Sequence, residues 1–340
     1  MNMLSLLKVC VGSVATAVLM GVQPVWAEEA GKSLPQAVQE RSLRDWLERL
    51  HDASRGSAYT GTFVVSAGPE ISASRIWHVC DGNQQIERID SLTGVQRTTL
   101  RRNDEVMTFV HDAKVVLKEK RDSLRLFPDL LRAPGQQIES LYRAQVGGVE
   151  RVAGFDAVVV DFLPKDSLRY GYRVWSEKKT GLVMKLQTRD AKDQVLEQVV
   201  FTDLQLGAPL KMDALARQMD NPKGYQVVRP QLRKTTPEAE GWRLKAEVPG
   251  FQSMSCHSRV EGGSRPDASP AVQWVFSDGL ASVSLFLETF DPQKHTKEQA
   301  TAVGATRTLT SRVGGYWVTA MGEVPIATLR LFAQALERTR

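Results

Sequence analysis

Cysteine is scarce in this chain of 340 residues, which contains three cysteines. Cys10 lies in an apolar N-terminal run, while Cys80 and Cys256 lie far apart in the sequence. No CxxC pair is present, so the sequence excludes a small fold held by a framework of disulfides. We interpret Cys80 and Cys256 as unpaired residues that pack like small apolar side chains, although the sequence leaves their pairing open.

The sequence also lacks the common motifs of enzymes and nucleotide-binding proteins. It has no GxSxG, HExxH, P-loop or GxGxxG segment, and its five histidines are scattered. Ser176-Glu177-Lys178-Lys179 fits the S-x-x-K pattern of acyl-transfer enzymes. That chemistry needs the serine at a helix start, whereas this segment lies at a predicted hairpin turn. We therefore expect no enzyme activity, no cofactor and no metal site.

The N-terminus has the features of a secretory signal peptide. Lys8 supplies a positive charge, the run 9–22 is almost wholly apolar or small, and Val25-Trp26-Ala27 fits a small-residue cleavage site. A run of about 14 residues is short for a membrane-spanning helix. We predict that residues 1–27 are a signal peptide cleaved after Ala27. Export and the scattered Lys and Arg residues argue against binding of nucleic acid.

Hydrophobic periodicity predicts a mainly antiparallel β fold with few helices. A helix should begin at Ser42, where Ser42-x-x-Asp45 forms a capping-box pattern before an apolar stripe. An apolar insert at 123–145 is interrupted by Pro128 and Pro134. Alternating segments bounded by turn residues predict strands at 60–66, 75–79, 85–90, 94–101, 105–111, 113–119, 149–152, 156–164, 170–176, 183–189 and 195–204.

Prolines divide the rest of the chain into a linker and a second domain. We predict a first domain at 28–209, an extended linker at 210–238 that contains Pro222, Pro230 and Pro237, and a C-terminal domain at 239–340. Within the linker, the sequence leaves open a helical turn or two at 212–219. Asp278-Gly279 between two alternating segments predicts a hairpin with a type I′ turn. A final helix should begin at Pro325, a residue favoured in the first helical position.

Three segments of the C-terminal domain carry a resemblance to a known family. They are Gly241-Trp242 through Val248-Pro249-Gly250-Phe251, the hairpin at 276–288, and Met321-Gly322-Glu323-Val324-Pro325. In this order they resemble the RseB/MucB family of periplasmic negative regulators of the sigma-E envelope stress response. The segment 169–201 is similar to the N-terminal domain of these regulators. The resemblance implies an α+β, mainly antiparallel fold: a lipoprotein-carrier-like half-barrel, then a smaller β-sheet domain with a terminal helix.

The resemblance also implies a function. The protein would lie in the periplasm, bind the periplasmic domain of a single-pass, RseA/MucA-like anti-sigma factor and shield it from site-1 proteolysis. A lipid or lipopolysaccharide signal would release it. The alternative is a periplasmic carrier or chaperone of lipids or lipoproteins, against which the presence of the C-terminal domain argues. The sequence leaves the oligomeric state open, a homo-oligomer included.

Two sets of residues follow from this interpretation as candidates for binding. The candidates for the anti-sigma partner are Trp242, Phe251, Asp278, Gly279, Leu280, Arg233 and Lys234. The candidates for lining a lipid cavity are apolar and aromatic residues of the first domain, any of which could instead simply fill its core. They are Trp77, Phe109, Phe127, Leu130, Leu131, Tyr142 and Trp175.

Overall fold

The computed structural model describes residues 36–82, 84–120, 127–128, 137–220, 222–229, 232–259 and 271–339. The predicted signal peptide and two of the lipid-cavity candidates, Leu130 and Leu131, lie outside these residues. Within the described ranges, no helix combines the length and the apolar character that crossing a membrane requires.

In the described part of the chain, twelve strands form the first sheet. They are β1 (Tyr59–Ala67), β2 (Glu70–Cys80), β3 (Gln85–Ser91), β4 (Arg97–Arg102), β5 (Glu105–Val110), β6 (Val115–Lys120), β7 (Tyr142–Val152), β8 (Phe155–Pro164), β9 (Gly171–Glu177), β10 (Val183–Arg189), β11 (Val195–Leu206) and β12 (Gln226–Val228). Their order is β12-β6-β5-β4-β3-β2-β1-β11-β10-β9-β8-β7, so the sheet is open. Neighbouring strands are antiparallel except β12, which pairs in parallel with β6.

The predicted strands of this sheet are all found, and the largest difference is at β7. The sequence predicts a strand at 149–152, whereas β7 begins at Tyr142. The pairing with β8 shifts register between Val146 and Val149. Gly147 and Gly148 stand at this bulge and interrupt the alternation of side chains, so the first half of the strand is hard to identify from the sequence.

Four helices within residues 36–220, as far as these are described, accompany the first sheet: α1 (Gln36–Gln39), α2 (Leu43–Gly56), α3 (Ile138–Leu141) and α4 (Met212–Asp220). The predicted capping box is confirmed at α2. The Asp45 N–H donates to Ser42 Oγ (3.1 Å) and the Ser42 N–H donates to Asp45 Oδ2 (3.3 Å). The apolar stripe of α2 buries Trp46 and Leu47 in the main core of the first sheet.

The segment 210–238, predicted to be an extended linker, contains regular structure. Met212, Ala216 and Met219 recur at helical spacing, and α4 buries Ala216 and Met219 against the outer face of the first sheet. Strand β12 then adds to the edge of the same sheet. The domain limits themselves stay a prediction.

Within residues 232–259 and 271–339, seven strands form a smaller second sheet, and two further strands pair beside it. The strands are β13 (Leu232–Thr235), β14 (Trp242–Leu244), β15 (Gln252–Arg259), β16 (Ala271–Ser277), β17 (Ser282–Thr289), β18 (Gln299–Val303), β19 (Thr306–Val313), β20 (Tyr316–Gly322) and β21 (Leu336–Arg338). The sheet order is β13-β15-β16-β17-β20-β19-β18, and β14 pairs with β21. The terminal helix α5 (Ile326–Ala335) buries Leu329 and Phe332 in the second core. The predicted fold class is confirmed.

The turn between β16 and β17 differs from the predicted type I′ turn. That turn needs a positive φ at both central residues, but of Asp278 and Gly279 only Gly279 has one, at 106°. The loop has four residues, 278–281, and the Asp278 N–H donates to the carbonyl of Ala281. The Asp278 carboxylate accepts from the N–H groups of Leu280 (2.9 Å) and Ala281 (2.7 Å), which holds this wider loop in place.

Candidate functional site at the joint between the two sheets

Arg169 connects the two sheets from the loop between β8 and β9. Its Nε donates to Asp278 Oδ2 (2.9 Å), its Nη2 donates to the carbonyl of Pro249 (2.9 Å), and its Nη1 donates to Asp166. The side chains of Arg169 and Asp278 are both 0% exposed. One arginine of the first sheet is therefore bonded to two separate loops of the second.

Aromatic residues surround this ion pair. The guanidinium lies 5.3 Å from the ring centre of Phe251 and 5.8 Å from that of Tyr142. The Tyr142 hydroxyl donates to Asp278 Oδ2 (3.0 Å). Burial raises the pKa of Tyr142 well above its ordinary value, and the neighbouring Tyr172 phenol and Asp278 carboxylate add to this effect. Tyr142 therefore stays a neutral donor to the carboxylate.

Gly250 lets the second sheet approach this arginine closely. Its φ is 79°, a conformation that L side chains rarely adopt. A Cβ at this position would lie 2.6 Å from Arg169 Nη2 and 2.7 Å from Leu141 Cδ2. Pro249 supplies a carbonyl, Gly250 supplies space and Phe251 supplies an aromatic face. These contacts give a physical reason for the Pro249-Gly250-Phe251 segment in the resemblance.

Further contacts join the sheets on either side of Arg169. The Thr328 hydroxyl of α5 donates to the carbonyl of Leu168 (2.7 Å). Leu280, from the loop beside Asp278, packs against the core of the first sheet. The Ala305 N–H donates to Glu197 Oε2 on β11 (3.2 Å). The joint is thus built from loops and turns of both sheets.

A cavity of about 260 Å³ lies within the joint. Its walls come from both sheets, and they carry two carboxylates, Glu197 and Glu323. The Glu323 side chain opens to the cavity, but atoms of both sheets surround it. This burial, followed by the charge of Glu197, raises the pKa of Glu323 to about 7. The lining residues are Tyr172, Leu186, Thr188, Glu197, Val199, Leu280, Ser282, Ser284, Thr306, Met321, Gly322 and Glu323.

The structure places four of the partner-binding candidates at this joint. They are Phe251, Asp278, Gly279 and Leu280. Trp242 lies elsewhere, in the core of the second sheet, where it is 1% exposed. Tyr316 packs edge-on against its ring at 5.0 Å, so its indole has almost no surface to offer a partner.

Arg233 and Lys234, the other two candidates of this set, lie on β13 at one edge of the second sheet. Both side chains are exposed. Arg233 Nη2 donates to Glu240 Oε1 at 2.9 Å. An edge strand leaves one row of backbone N–H and C=O groups without a strand partner, and β13 therefore offers both charge and backbone to another chain.

The described lipid-cavity candidates do not share one surface. Phe127 and Tyr142 lie in the main core of the first sheet, and the Phe127 ring packs 4.7 Å from that of Phe201. Trp175 donates from Nε1 to Glu150 Oε2 (2.7 Å), and the Lys185 ammonium lies 4.2 Å from the centre of one of its rings.

Trp77 and Phe109 face the other side of the sheet. Ile76 and Val106 point into the main core. Side chains an odd number of residues apart on a strand point to opposite faces. Trp77 is one residue from Ile76 on β2, and Phe109 is three residues from Val106 on β5. Phe109 accordingly packs with Met219 of α4 in a separate cluster. These two aromatic residues therefore face away from the main core in which Phe127 and Tyr142 lie.

Sequence reasoning missed Arg169, Thr328 and Glu323. Arg169 meets the Pro249 carbonyl across 80 residues of chain, and Thr328 meets the Leu168 carbonyl across 160. No local pattern encodes contacts of such separation. The one available signal was the Met321-Gly322-Glu323-Val324-Pro325 segment, which marked the neighbourhood of Glu323 without giving it a role.

Comparison with known proteins covers both sheets. The family model of the MucB/RseB N-terminal domain matches residues 42–219, and that of the MucB/RseB C-terminal domain matches residues 236–337. The sigma factor AlgU regulatory protein MucB of Pseudomonas aeruginosa is 29% identical over 305 residues, which cover 88% of this chain and 92% of MucB. The sigma-E factor regulatory protein RseB of Escherichia coli K12 is 22% identical over 297 residues, which cover 86% and 89%.

A solved structure shows the same arrangement. The crystal structure of MucB in complex with MucA(peri) matches with a TM-score of 0.67 and 29% identity, covering 87% of this chain and 98% of that chain. The two family models together cover most of both sheets and the residues of the joint, while β12 and β13 lie between the two matched ranges. On this evidence, the chain belongs to the MucB/RseB family.

Proposed function

We propose that this protein binds the periplasmic domain of a MucA-like anti-sigma factor and thereby regulates a sigma-E-type factor. The likeness to MucB in its complex with MucA(peri), which extends over 87% of this chain, carries the proposal. The MucB and RseB relatives are themselves sigma-factor regulatory proteins. Cleavage after Ala27 would deliver the protein to the periplasm, where that domain of the anti-sigma factor lies.

The second sheet supplies the surface for the partner. Among the described residues, one edge of strand β13 has no strand partner, and an extended segment of the anti-sigma factor can add there as a further strand. Arg233 and Lys234 on this strand select for acidic side chains in that segment. Asp278 is fully buried, so it acts on the partner only by holding the hairpin loop at the joint.

Binding of this kind shields the partner from site-1 proteolysis. A protease must bind its substrate as an extended, accessible chain. A segment that is paired with β13 is already extended, but its backbone groups are occupied and one side of it is covered. The share of the anti-sigma factor that is protected from cleavage therefore equals the share that is bound.

A lipid or lipopolysaccharide signal releases the partner through the joint. Tyr142 belongs to the core of the first sheet, yet its hydroxyl donates to Asp278 of the second. An acyl chain that enters the first core and displaces the Tyr142 ring breaks that hydrogen bond and disturbs the 278–281 loop. Thermodynamic linkage then makes the effect reciprocal. If the lipid lowers the affinity for the partner by a given factor, the partner lowers the affinity for the lipid by the same factor.

A binding experiment tests the partner assignment. Residues 28–340 are immobilised, and the periplasmic domain of the anti-sigma factor from the same organism is passed over them. We expect saturable binding that the double variant Arg233→Asp and Lys234→Asp weakens by about tenfold or more, because each change replaces an attraction by a repulsion. The matched control is Lys192→Asp in the exposed turn before β11, which should bind like the unchanged protein.

A pull-down of solubilised envelope proteins separates this function from the alternative. A regulator retains an anti-sigma factor, whereas a carrier retains lipoproteins. Retention of lipoproteins together with no measurable binding of the anti-sigma domain would refute the proposal. For the lipid signal, Tyr142→Phe should bind partner but lose most of the release by lipopolysaccharide; full release from this variant would contradict the coupling through Tyr142.

A further inference from the structure

Two arginines beside α2 have no ion-pair partner among the described residues. Arg41 immediately precedes the N-cap residue of α2, and its guanidinium lies 4.7 Å from the centre of the Trp46 ring. Arg49 lies two turns further along the same helix and is half-buried. Its Nη2 donates to the carbonyls of Lys178 (3.2 Å) and Lys179 (3.0 Å), which are neutral acceptors. Neither guanidinium is therefore held in a direct ion pair among the described residues.

The pKa of Arg49 reflects its surroundings. Burial lowers it first, the charge of Arg41 lowers it further, and only Glu177 opposes the shift. The Glu177 carboxylate is held to its own turn, because its Oε2 accepts from the backbone of Lys179 (3.0 Å) and Thr180 (2.6 Å) and from the Thr180 hydroxyl (2.8 Å). Among the described residues of this region, four cations, Arg41, Arg49, Lys178 and Lys179, thus stand against two carboxylates, Glu177 and Asp52.

The turn between β9 and β10 is shaped to keep Arg49 in place. Gly181 has a φ of 90°, and a Cβ there would lie 2.9 Å from Arg49 Cγ. The same turn carries Lys178 and Lys179, whose side chains are exposed. Arg49 therefore positions a turn that adds two ammonium groups to the two guanidinium groups.

These residues line two neighbouring cavities. The more enclosed one, of about 270 Å³, has Arg41, Trp46, Arg49 and Lys179 in its wall. A more open one, of about 490 Å³, shares Arg41 and Arg49 and has the exposed carboxylate of Asp52 at its rim. Trp46 is 1% exposed, and its Nε1–H is buried without a hydrogen-bond acceptor in the described structure. A buried donor of this kind costs free energy unless a ligand accepts from it.

We propose that this cluster, Arg41, Trp46, Arg49, Lys178 and Lys179, is a binding site for a phosphate monoester group. A guanidinium matches two oxygens of a phosphate with two parallel N–H donors, and the ammonium groups add unoriented charge. A phosphate monoester carries a charge of roughly −1.5 to −2 at pH 7. As a ligand it therefore matches a site with two guanidinium groups better than a carboxylate ligand, which carries a single charge. The partner-binding surface on β13 plays no part in it.

Titration of residues 28–340 with inorganic phosphate tests the site directly. Binding is followed by calorimetry and by the Trp46 indole N–H resonance in a ¹H–¹⁵N spectrum, assigned with Trp46→Phe. We expect saturable binding and a shift of that resonance, because Trp46 lines the enclosed cavity and Arg41 lies over its ring. An indole resonance that stays unmoved at saturating phosphate overturns the assignment of Trp46, and an absence of binding overturns the site.

Two substitutions on exposed or partly exposed cations locate the bound phosphate without disturbing the core. Arg41→Gln and Lys179→Gln should each weaken phosphate binding by about threefold to tenfold, since each removes a charge-assisted hydrogen bond. Lys192→Gln, in the other exposed turn, serves as the matched control and should bind phosphate unchanged. Equal affinity of Arg41→Gln and the unchanged protein refutes the site.

Vesicles distinguish a lipid headgroup from free phosphate as the source. Phosphatidylcholine vesicles contain either phosphatidic acid, a phosphate monoester, or phosphatidylglycerol, a diester, in the same molar fraction. Preferential binding to phosphatidic acid that is lost in Arg41→Gln supports a lipid headgroup. Binding of inorganic phosphate with no retention on either vesicle supports free phosphate. Equal retention on both vesicles that survives Arg41→Gln contradicts a monoester site at this cluster.

Discussion

Arg169 and Asp278 form an ion pair that lies entirely inside the joint between the two sheets, with Nε and Oδ2 2.9 Å apart. Asp278 divides its two oxygens between different tasks. Oδ1 holds its own loop through the N–H groups of Leu280 and Ala281, and Oδ2 accepts from Arg169 and Tyr142 of the first sheet. One carboxylate therefore fixes both the shape of the hairpin loop and its position.

Asp278→Ala should destabilise the protein strongly. The substitution leaves the Arg169 guanidinium buried with only the partly exposed Asp166 as counter-charge. Removing one member of a buried pair costs about 3 kcal/mol or more. Urea unfolding, followed by tryptophan fluorescence, measures the loss.

Asp220→Ala is the control for this change. Asp220 accepts from Arg102 at 2.7 Å, but its side chain is 62% exposed. Exposed pairs of this kind contribute about 0–1 kcal/mol. If both substitutions cost the same, the buried pair does not stabilise the joint.

Gly250→Ala should lower the stability of the protein more than an alanine substitution at a glycine of positive φ usually does. An Ala at a positive φ costs about 1–2 kcal/mol from backbone strain alone. At Gly250 the new Cβ would also lie 2.6 Å from Arg169 Nη2 and 2.7 Å from Leu141 Cδ2. The expected total is about 3 kcal/mol, once the displacement of these neighbours is added.

Gly314→Ala isolates the contribution of the close contact. Gly314 has a φ of 60°, and nothing lies within 4 Å of a Cβ built there. Its substitution should therefore show the backbone cost alone. Equal thermal unfolding midpoints for the two variants would show that Arg169 and Leu141 can move aside without loss.

Elements with a local signal were predictable from the sequence. The capping box at Ser42 and Asp45 specifies where α2 begins, and alternation specified strands such as β10, which was predicted and found at Val183–Arg189. The alternation of apolar and polar residues separates the two faces of a strand, but it does not tell which face lies against the main core. It could not say that Trp77 and Phe109 face away from the main core, because that depends on which face α2 covers.

The joint could not be predicted for a different reason. Phe251, Asp278 and Leu280 were selected because of the resemblance, and their proximity depends on Arg169, which no motif marks. The turn at Asp278-Gly279 shows the same limit. Local statistics favour a two-residue turn, whereas the Asp278 carboxylate, held by two residues of the other sheet, stabilises a four-residue loop.

Stability should depend on the ionisation of Glu323. Its pKa in the folded protein is raised to about 7 from 4.5, so the folded state binds the proton more tightly than the unfolded state. Between these two pH values, stability therefore falls as the pH rises, and the penalty is complete above about pH 7. Because the side chain opens to solvent, we expect a total effect under about 1 kcal/mol.

Glu323→Gln should remove this part of the pH dependence. The variant should be more stable than the unchanged protein at pH 8 and similar to it at pH 5, as measured by thermal unfolding at both pH values. Glu70→Gln, at the exposed start of β2, is the control and should follow the unchanged protein. A Glu323→Gln variant with the pH profile of the unchanged protein would show that the cavity does not perturb this carboxyl group.

Limited proteolysis should first cut the chain where it passes from one sheet to the other. Strand β12 ends at Val228 in the first sheet, and β13 begins at Leu232 in the second. The helix α4 and β12 are packed on the first sheet, so the 210–228 part of the predicted linker should resist cleavage. With a protease of broad specificity, we expect two resistant fragments that meet near residue 230, identified by mass spectrometry.

Asp278→Ala should speed the separation of these fragments, because it weakens the joint without changing the strands on either side. A first cut within 150–205, or fragments that separate equally fast in both proteins, would contradict this division of the chain.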